Sequence, residues 1–388
     1  MDFELDSTQE EIVAAVAALC APFDAAYWRR CDEEAAFPEA FVAAVVEGGW
    51  LGIAMPERWG GADLGITEAA LLAHGIARSG AGMSGASAVH VNLFGPHPVV
   101  VHGTEAQQAR ILPPLIRGEH RVCFGVTEPD AGLNTTAITT RAIRDGDGYR
   151  VSGRKLWTST AQSATHVLLL ARTTAREAAE RRTDGLTLFY TPLDRDRVEI
   201  RRVPKMGRAA VDSNALFIDE LEVPVADRIG EEGDGWRCIL HGLNPERILI
   251  AAEAVGLGRA ALERAATYAR ERVVFERPIG RNQAIQHPLA ENWMELEAAW
   301  LMTLKAAARY DADRSCGAEA NAAKYLAAEA AFRACERAVL THGGMGYARA
   351  CDVERFLREI MIPRIAPVSQ EMIRNFIAER VLDQPRSY

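Results

Sequence analysis

Lysine is scarce in this chain. Of its 44 basic residues only Lys155, Lys205, Lys305 and Lys324 are lysines, which leaves 40 arginines. Beside the abundant alanine, this reads first as the coding bias of a GC-rich bacterial genome. Basic charge as a whole is in deficit, 44 against 53 acidic residues, for a net charge of −9. That balance argues against wrapping nucleic acid or lying on an anionic membrane. Long apolar runs are missing too. The longest tight ones, residues 167–171 and 248–252, fall far short of the about 18 residues that a membrane span needs. The start, Met1-Asp2-Phe3-Glu4-Leu5, is acidic where a signal peptide would be basic, so a cytoplasmic protein is expected. The seven cysteines (Cys20, Cys31, Cys123, Cys238, Cys316, Cys335 and Cys351) form no CxxC, and reduced, packed thiols are expected. His97-x4-His102, with His90 nearby, resembles half a zinc site, but nothing completes it and no metal is expected. G-x-S-x-G and GxxxxGK[ST] are absent, which weakens hydrolase and P-loop readings.

What remains is an ordinary globular composition, 48% hydrophobic and 25% charged over 388 residues. The length predicts two or three domains. Residues 1–120 read as helical, opening on the capping boxes Ser7-x-x-Glu10 and Thr8-x-x-Glu11 and closing at Pro113-Pro114 and Gly118. Residues 121–234 change to short β-branched runs separated by turns. Residues 141–144 and 149–152 flank Asp145-Gly146-Asp147-Gly148 and make the clearest hairpin. Further strands are expected at 167–171, 186–190, 198–203 and 215–218. From Gly235 on the chain is helical again, with Pro245 near a helix start. Helices, strands, helices predict three domains: 1–120, 121–234 and 235–388.

Gly256-Leu257-Gly258-Arg259-Ala260-Ala261 matches a dinucleotide fingerprint, but its flanks stay helical where a strand is needed. Small residues for close helix packing are the better reading. Three other stretches are richer. Phe124-Gly125-Val126-Thr127-Glu128-Pro129-Asp130-Ala131-Gly132 offers a hydroxyl beside a loop shaped by Pro and Gly. Gly153-Arg154-Lys155-Leu156-Trp157-Thr158-Ser159 sets a large aromatic two residues from a hydroxyl, enough to stack on a flat ring and hydrogen-bond its edge. Arg272, Phe275 and Gln283 bring a guanidinium, an aromatic and an amide at a spacing that suits a pyrophosphate and a base.

In this order and on this α–β–α layout, these stretches resemble the acyl-CoA dehydrogenase family. Lys205-Met206-Gly207, Val223-Pro224 with Gly230, Gly233 and Gly235, and His342-Gly343-Gly344-Met345-Gly346-Tyr347 extend the resemblance over essentially the whole chain. It implies an α+β fold: an N-terminal α-helical domain, a middle β-barrel or sandwich domain and a C-terminal four-helix bundle. It also implies FAD, an acyl-CoA substrate, an electron-transfer flavoprotein as acceptor, a homotetramer or dimer, and a place in fatty-acid β-oxidation. Matched by motif, Phe124, Val126, Thr127 and Gly132 are expected along the flavin, with Trp157 stacked on it and Ser159 near its N5. Arg272, Phe275 and Gln283 resemble residues that hold the ADP half of FAD in a neighbouring subunit. Gly343, Gly344 and Ser369 are expected near the cofactor, and Asn244 and Tyr347 near the substrate.

The reaction implied removes a proton from the α carbon and a hydride from the β carbon. The weakly acidic α proton needs a carboxylate poised by desolvation. The family's commoner catalytic Glu lies near the C-terminus. Counting without gaps from Gly343-Gly344 through Arg358-Glu359 puts Pro367 at that position. The family's other position is the Glu of a Glu-Arg pair in the first long helix after the β domain, and Leu243-Asn244-Pro245-Glu246-Arg247 supplies it. Glu246 is therefore the expected base and Arg247 a cation beside it, with Glu371 as runner-up. That location hints, by analogy, at branched or longer acyl chains, with pocket depth depending on how Met83, Val89 and Phe94 pack. Pro367 has no N–H, and losing one donor to a thioester oxygen costs ~3 kcal/mol, unless Val368 donates instead. Leu133-Asn134 replaces the usual Ser-Asp, which leaves Thr135 or Thr136 for a phosphate contact, and Leu340 replaces a Gln. The alternatives are another flavin reaction on the same scaffold (oxidase, monooxygenase or elimination) and a non-catalytic FAD-binding homologue.

Overall fold

The structure, a computed structural model, describes residues 4–387; residues 1–3, on which the leader reading partly rests, lie outside that range. Seven helices come first: α1 (Ser7–Cys20), α2 (Ala25–Glu33), α3 (Glu39–Glu47), α4 (Ile66–Ile76), α5 (Gly82–Phe94), α6 (His97–His102) and α7 (Glu105–Ile116). The first cap sits one residue earlier than expected. Asp6 accepts from the Gln9 N–H at 2.9 Å, and the Gln9 side chain accepts from the Asp6 N–H at 3.3 Å. An acidic side chain satisfies the orphan donors at a helix start as well as Ser or Thr does.

Eight strands follow: β1 (Val122–Gly125), β2 (Arg141–Asp145), β3 (Gly148–Ser159), β4 (His166–Arg172), β5 (Leu186–Pro192), β6 (Val198–Arg202), β7 (Ser213–Pro224) and β8 (Arg228–Ile229). They form one mixed sheet in the order β6-β7-β3-β2-β4-β5-β8, with β1 pairing parallel to β4. The β2–β3 hairpin closes with Asp145 opposite Gly148. Strand β4 is an unbroken apolar run because both its faces are buried. Leu168 and Leu170 join the main core with the helices, while Val167, Leu169 and Ala171 join a second core within the sheet.

The last part holds α8 (Gly235–Glu271), the short pair β9 (Val273–Val274) and β10 (Arg277–Pro278), α9 (Gln283–Asp311), α10 (Gly317–His342), α11 (Gly344–Tyr347), α12 (Val353–Glu359), α13 (Ile362–Ile365) and α14 (Gln370–Arg380). Helices α8, α9 and α10 pack on one another and α14 lies on α10. Pro245 is inside α8 and not near its start. A proline there cannot bond the carbonyl four residues back, and the Tyr310 hydroxyl donates to that His241 carbonyl instead, at 3.4 Å. Gly256 and Gly258 lie mid-helix. A Cβ on Gly256 would stand 2.4 Å from the His74 carbonyl oxygen, and one on Gly258 2.9 Å from Ala331 Cα. Close packing against α4 and α10, and no strand before the motif, accounts for these glycines.

Candidate active site

Glu246 opens the fourth turn of α8, half-buried. Burial is the main cause that pushes its carboxyl up to about 7, with Glu253 adding to it and His90, Arg247 and Lys324 opposing. Among the described residues it makes no hydrogen bond or ion pair, so its carboxylate is free to take a proton. Arg247 next to it donates to the Asn244 side chain at 3.0 Å, and its Nε is buried without a partner. Glu371 is a different kind of group. It lies exposed in the first turn of α14, 3.8 Å from Arg374, with its pKa held below the usual carboxylate range by local hydrogen bonds. Exposure and a lowered pKa make it a weaker base than Glu246.

Three of the four lysines hold loops around this region. Lys324 is buried on α10 and donates to the Val368 carbonyl at 2.6 Å, one residue past Pro367. Val368's own N–H has no partner among the described residues. Lys155 on β3 is buried and donates to the Val126 carbonyl at 3.1 Å and to Glu128 at 2.9 Å. Glu128 also accepts from the backbone N–H groups of Thr139 at 2.6 Å and Thr140 at 2.9 Å, so the loop from Val126 to Glu128 is tied down. Lys205 donates to the carbonyls of Arg208 at 2.5 Å and Val211 at 2.6 Å. Only Lys305 is a surface lysine, 3.8 Å from Glu319. The count of lysines does not say where they sit; the structure buries Lys155 and Lys324 and half-buries Lys205.

The expected flavin residues gather beside this frame. Thr127 accepts at its carbonyl from the Leu156 N–H at 2.8 Å, which joins the first loop to β3. Trp157 lies where β3 slips register against β7, with φ +63° and 55% exposed. A bulky residue in the left-handed region is strained, and such strain collects at ligand sites. Ser159 ends β3 opposite Ser213. The Phe124 ring meets Phe94 of α5 at 5.6 Å, so α5 packs directly against the end of β1 that leads into this loop. Gly132 has φ +51° and open space beside it. Thr136 donates to Asn134 at 2.8 Å, which leaves Thr135 as the free hydroxyl of the two.

The remaining residues lie elsewhere in the subunit. Arg272, Phe275 and Gln283 follow the far end of α8, 25 residues or about 37 Å along the helix from Glu246. All three are exposed, Phe275 by 93% and with φ +52°. Gly343 and Gly344 follow α10, with open space at both. Tyr347 is 88% exposed and lies beyond the end of α10, about 27 Å of helix from Lys324. It is not beside Glu246 of its own subunit. Ser369 is the N-cap of α14, accepting from Met372 N–H at 3.3 Å. Val89 lines a small cavity with Phe37 and Val42.

Sequence models of the acyl-CoA dehydrogenase N-terminal, middle and C-terminal domains match residues 6–119, 123–221 and 233–382. The chain belongs to the acyl-CoA dehydrogenase family. It is 37% identical over 353 residues to acyl-CoA dehydrogenase FadE12 of Mycobacterium tuberculosis, covering 88% of this chain and 87% of that one. It is 35% identical over 373 residues to the glutaryl-CoA dehydrogenase of Desulfococcus multivorans, covering 92% of each. The solved structure of butyryl-CoA dehydrogenase from Megasphaera elsdenii superposes with a TM-score of 0.93 at 26% identity, covering 98% of this chain and all of that one. This acyl-CoA dehydrogenase is therefore an oxidoreductase with FAD as its cofactor. The residues present fit that group: a strained, exposed Trp157, an open glycine turn at Gly132 and a clamped Val126–Thr127 backbone suit one edge of a flat ring.

Proposed function

We propose that this dehydrogenase converts an acyl-CoA thioester to its trans-2-enoyl-CoA, with Glu246 as the base that takes the α proton. The observation that carries the reading is the free carboxylate of Glu246, held near neutral pH by burial. Such a group is protonated and deprotonated with little cost at working pH. Arg247 and Lys324 stabilise its anionic form, since both favour charge on Glu246. The Val368 N–H, on a loop clamped by Lys324, is the donor for the thioester oxygen in place of the N–H that Pro367 lacks. Asn244 orients Arg247 and flanks the substrate. Bound FAD supplies the hydride acceptor, held by Phe124, Val126, Thr127, Gly132, Trp157 and Ser159.

The exposed Arg272, Phe275 and Gln283 reach the FAD of a neighbouring subunit, with Gly343, Gly344 and Ser369 nearby. A homotetramer, or a dimer, covers the apolar side chains of Trp293, Met294, Leu301 and Leu340 that stand exposed on this subunit. An electron-transfer flavoprotein is the acceptor, and the enzyme acts in the cytoplasm in fatty-acid β-oxidation. No single described helix is long and apolar enough to cross a membrane. The three domains run 1–120, 121–234 and 235–388. The test is anaerobic titration of the purified yellow protein with a panel of acyl-CoA thioesters. At least one is expected to bleach the flavin. A panel without effect would overturn the dehydrogenase reading.

A further inference from the structure

The segment that carries Trp157 and Ser159 departs from the strand it belongs to. Strand β3 pairs with β7 up to Lys155, opposite Leu216, and resumes at Thr158, opposite Asn214. Leu156 and Trp157 thus stand against Ala215 alone, which makes a bulge of one extra residue. The bulge takes the Leu156 N–H out of the ladder, and it donates to the Thr127 carbonyl at 2.8 Å. Trp157 sits at φ +63° and Thr160, three residues on, at φ +60°. A bulky and a β-branched side chain are both disfavoured in that region. Bulges re-aim side chains beside active sites, and strained backbone persists only where its surroundings over-determine it.

A buried set of side chains supplies that constraint. Asn214 on β7 is 0% exposed. Its Nδ2 donates to the Thr158 carbonyl at 2.9 Å and to the Asp212 carboxylate, and its Oδ1 accepts from Gln162 Nε2 at 3.0 Å. Asp212 accepts the Thr160 N–H on its carbonyl at 3.1 Å and the Gln162 N–H on its carboxylate at 3.2 Å. Arg195 then donates to the carbonyls of Ala161 at 2.9 Å and Ala164 at 2.6 Å. The bulge is therefore fastened on both sides, by Leu156 to the flavin loop and by Thr158 to Asn214. A strand position that served packing alone would be apolar, as Leu216 and Ile218 are on the same buried face. A buried amide is costly unless its bonds are made. Here they are made to the bulge and to the turn that follows it.

We propose that Asn214 is a positioning residue of the flavin site, its amide fixing the bulge that presents Trp157 and Ser159 to the flavin. This rests on the flavin placement proposed above.

The test compares Asn214→Leu, which keeps the branched shape and removes every hydrogen bond of the side chain, with Ile218→Ala, a loss from the same sheet core away from the bulge. The holoproteins are read by thermal midpoint and by the fluorescence of bound flavin, and the apoproteins are titrated with FAD. An indole in contact with a flavin quenches its emission by electron transfer, and Trp157→Phe shows the emission when that indole is gone. Asn214→Leu is expected to brighten the bound flavin severalfold and to weaken FAD binding by about tenfold, the scale of one or two hydrogen bonds. Ile218→Ala is expected to lower the thermal midpoint and leave both flavin readouts near wild type. Gln162→Met, which removes only the outer partner of the amide, is expected to act in the same direction as Asn214→Leu and less strongly. If Asn214→Leu does not fold, Asn214→Ser, which keeps a polar group on the strand, takes its place. Unchanged emission and FAD affinity in the Asn214 variant, beside a brightened Trp157→Phe, overturns the proposal. Flavin readouts moved equally by Ile218→Ala reduce Asn214 to a sheet residue and also overturn it. Trp157→Phe without effect overturns the flavin placement, and the proposal with it. Neither flavin readout needs an acyl-CoA, so a panel of thioesters that fails to bleach the enzyme counts against the dehydrogenase reading alone. With a thioester that does bleach it, Asn214→Leu is expected to slow flavin reduction by about 10- to 100-fold, the cost of a misplaced reacting group, at an unchanged half-saturating concentration.

Discussion

The two ends of α8 are built on opposite principles. Its first half carries Glu246, Arg247 and Glu253 into the protein, where they meet His90, Lys324 and Arg208. Its second half is packed with small residues and is followed by Arg272 and the almost wholly exposed Phe275. Burial makes the first end chemically potent, since desolvation is what lifts a carboxyl toward neutrality. Exposure makes the second end incomplete on its own, because an aromatic in a strained backbone conformation gains nothing from facing water. One helix thus carries the proposed base toward one end and leads, some tens of ångströms away, to the exposed groups proposed to reach a neighbouring subunit's FAD.

The sharpest way to break this comparison is to treat the two candidate carboxylates alike. Glu246→Gln is expected to lower kcat by about 100- to 10,000-fold, the range of a general base, with FAD content retained. Glu371→Gln is expected to stay within about twofold, since exposed ion pairs contribute little. Stopped-flow flavin reduction measures both. Normal reduction by Glu246→Gln would remove the assignment, and a large loss in Glu371→Gln would return the role to the C-terminal segment.

Much of the fold was legible because periodicity and turn chemistry are local. The hairpin closes at the expected turn, with Asp145 opposite Gly148, though its second strand runs on to Ser159, and the region from Gly235 on is mainly helical as expected. Pro245 misled because the cost of an internal proline was met from α9, through the Tyr310 hydroxyl, and no local rule contains that contact. Glu246 was legible as a motif, but its electrostatics were not, because His90, Lys324 and Glu253 come from three different places in the chain. His90 was weighed only with His97 and His102 as a metal ligand. In the fold the three part company: His90 meets Glu253, His97 lies against Tyr310 and His102 against His241. Lys324 and Arg208 carried a compositional hint at most, and tertiary contact was needed to read it.

The exposed end of α8 yields the next largest effect. Arg272→Ala and Phe275→Ala are each expected to weaken FAD retention by about tenfold, the scale of one charged hydrogen bond or aromatic contact. Turnover per bound flavin should remain near wild type, because neither residue touches Glu246 in its own subunit. Dialysis against FAD-free buffer followed by absorbance measures retention, and light scattering reports whether the assembly persists. If FAD is held unchanged by both variants, this end serves packing between subunits and not the cofactor.

The smallest effect separates a structural lysine from an electrostatic one. With its carboxyl pushed up to about 7, Glu246 must lose its proton to act, so kcat/KM of wild type should rise with pH through about 7. Lys324 opposes the burial that protonates Glu246, and its own pKa is lowered to about 8, chiefly by desolvation. Lys324→Met removes that opposition. The rising limb should move to higher pH, with a several-fold loss at pH about 6 that largely recovers near pH about 8. A lysine that only clamped the Val368 loop would, when removed, depress activity equally at all pH values and leave the midpoint in place. The pH profile, rather than the size of the loss, therefore decides whether Lys324 acts on the base through charge as well as on the loop through its hydrogen bond.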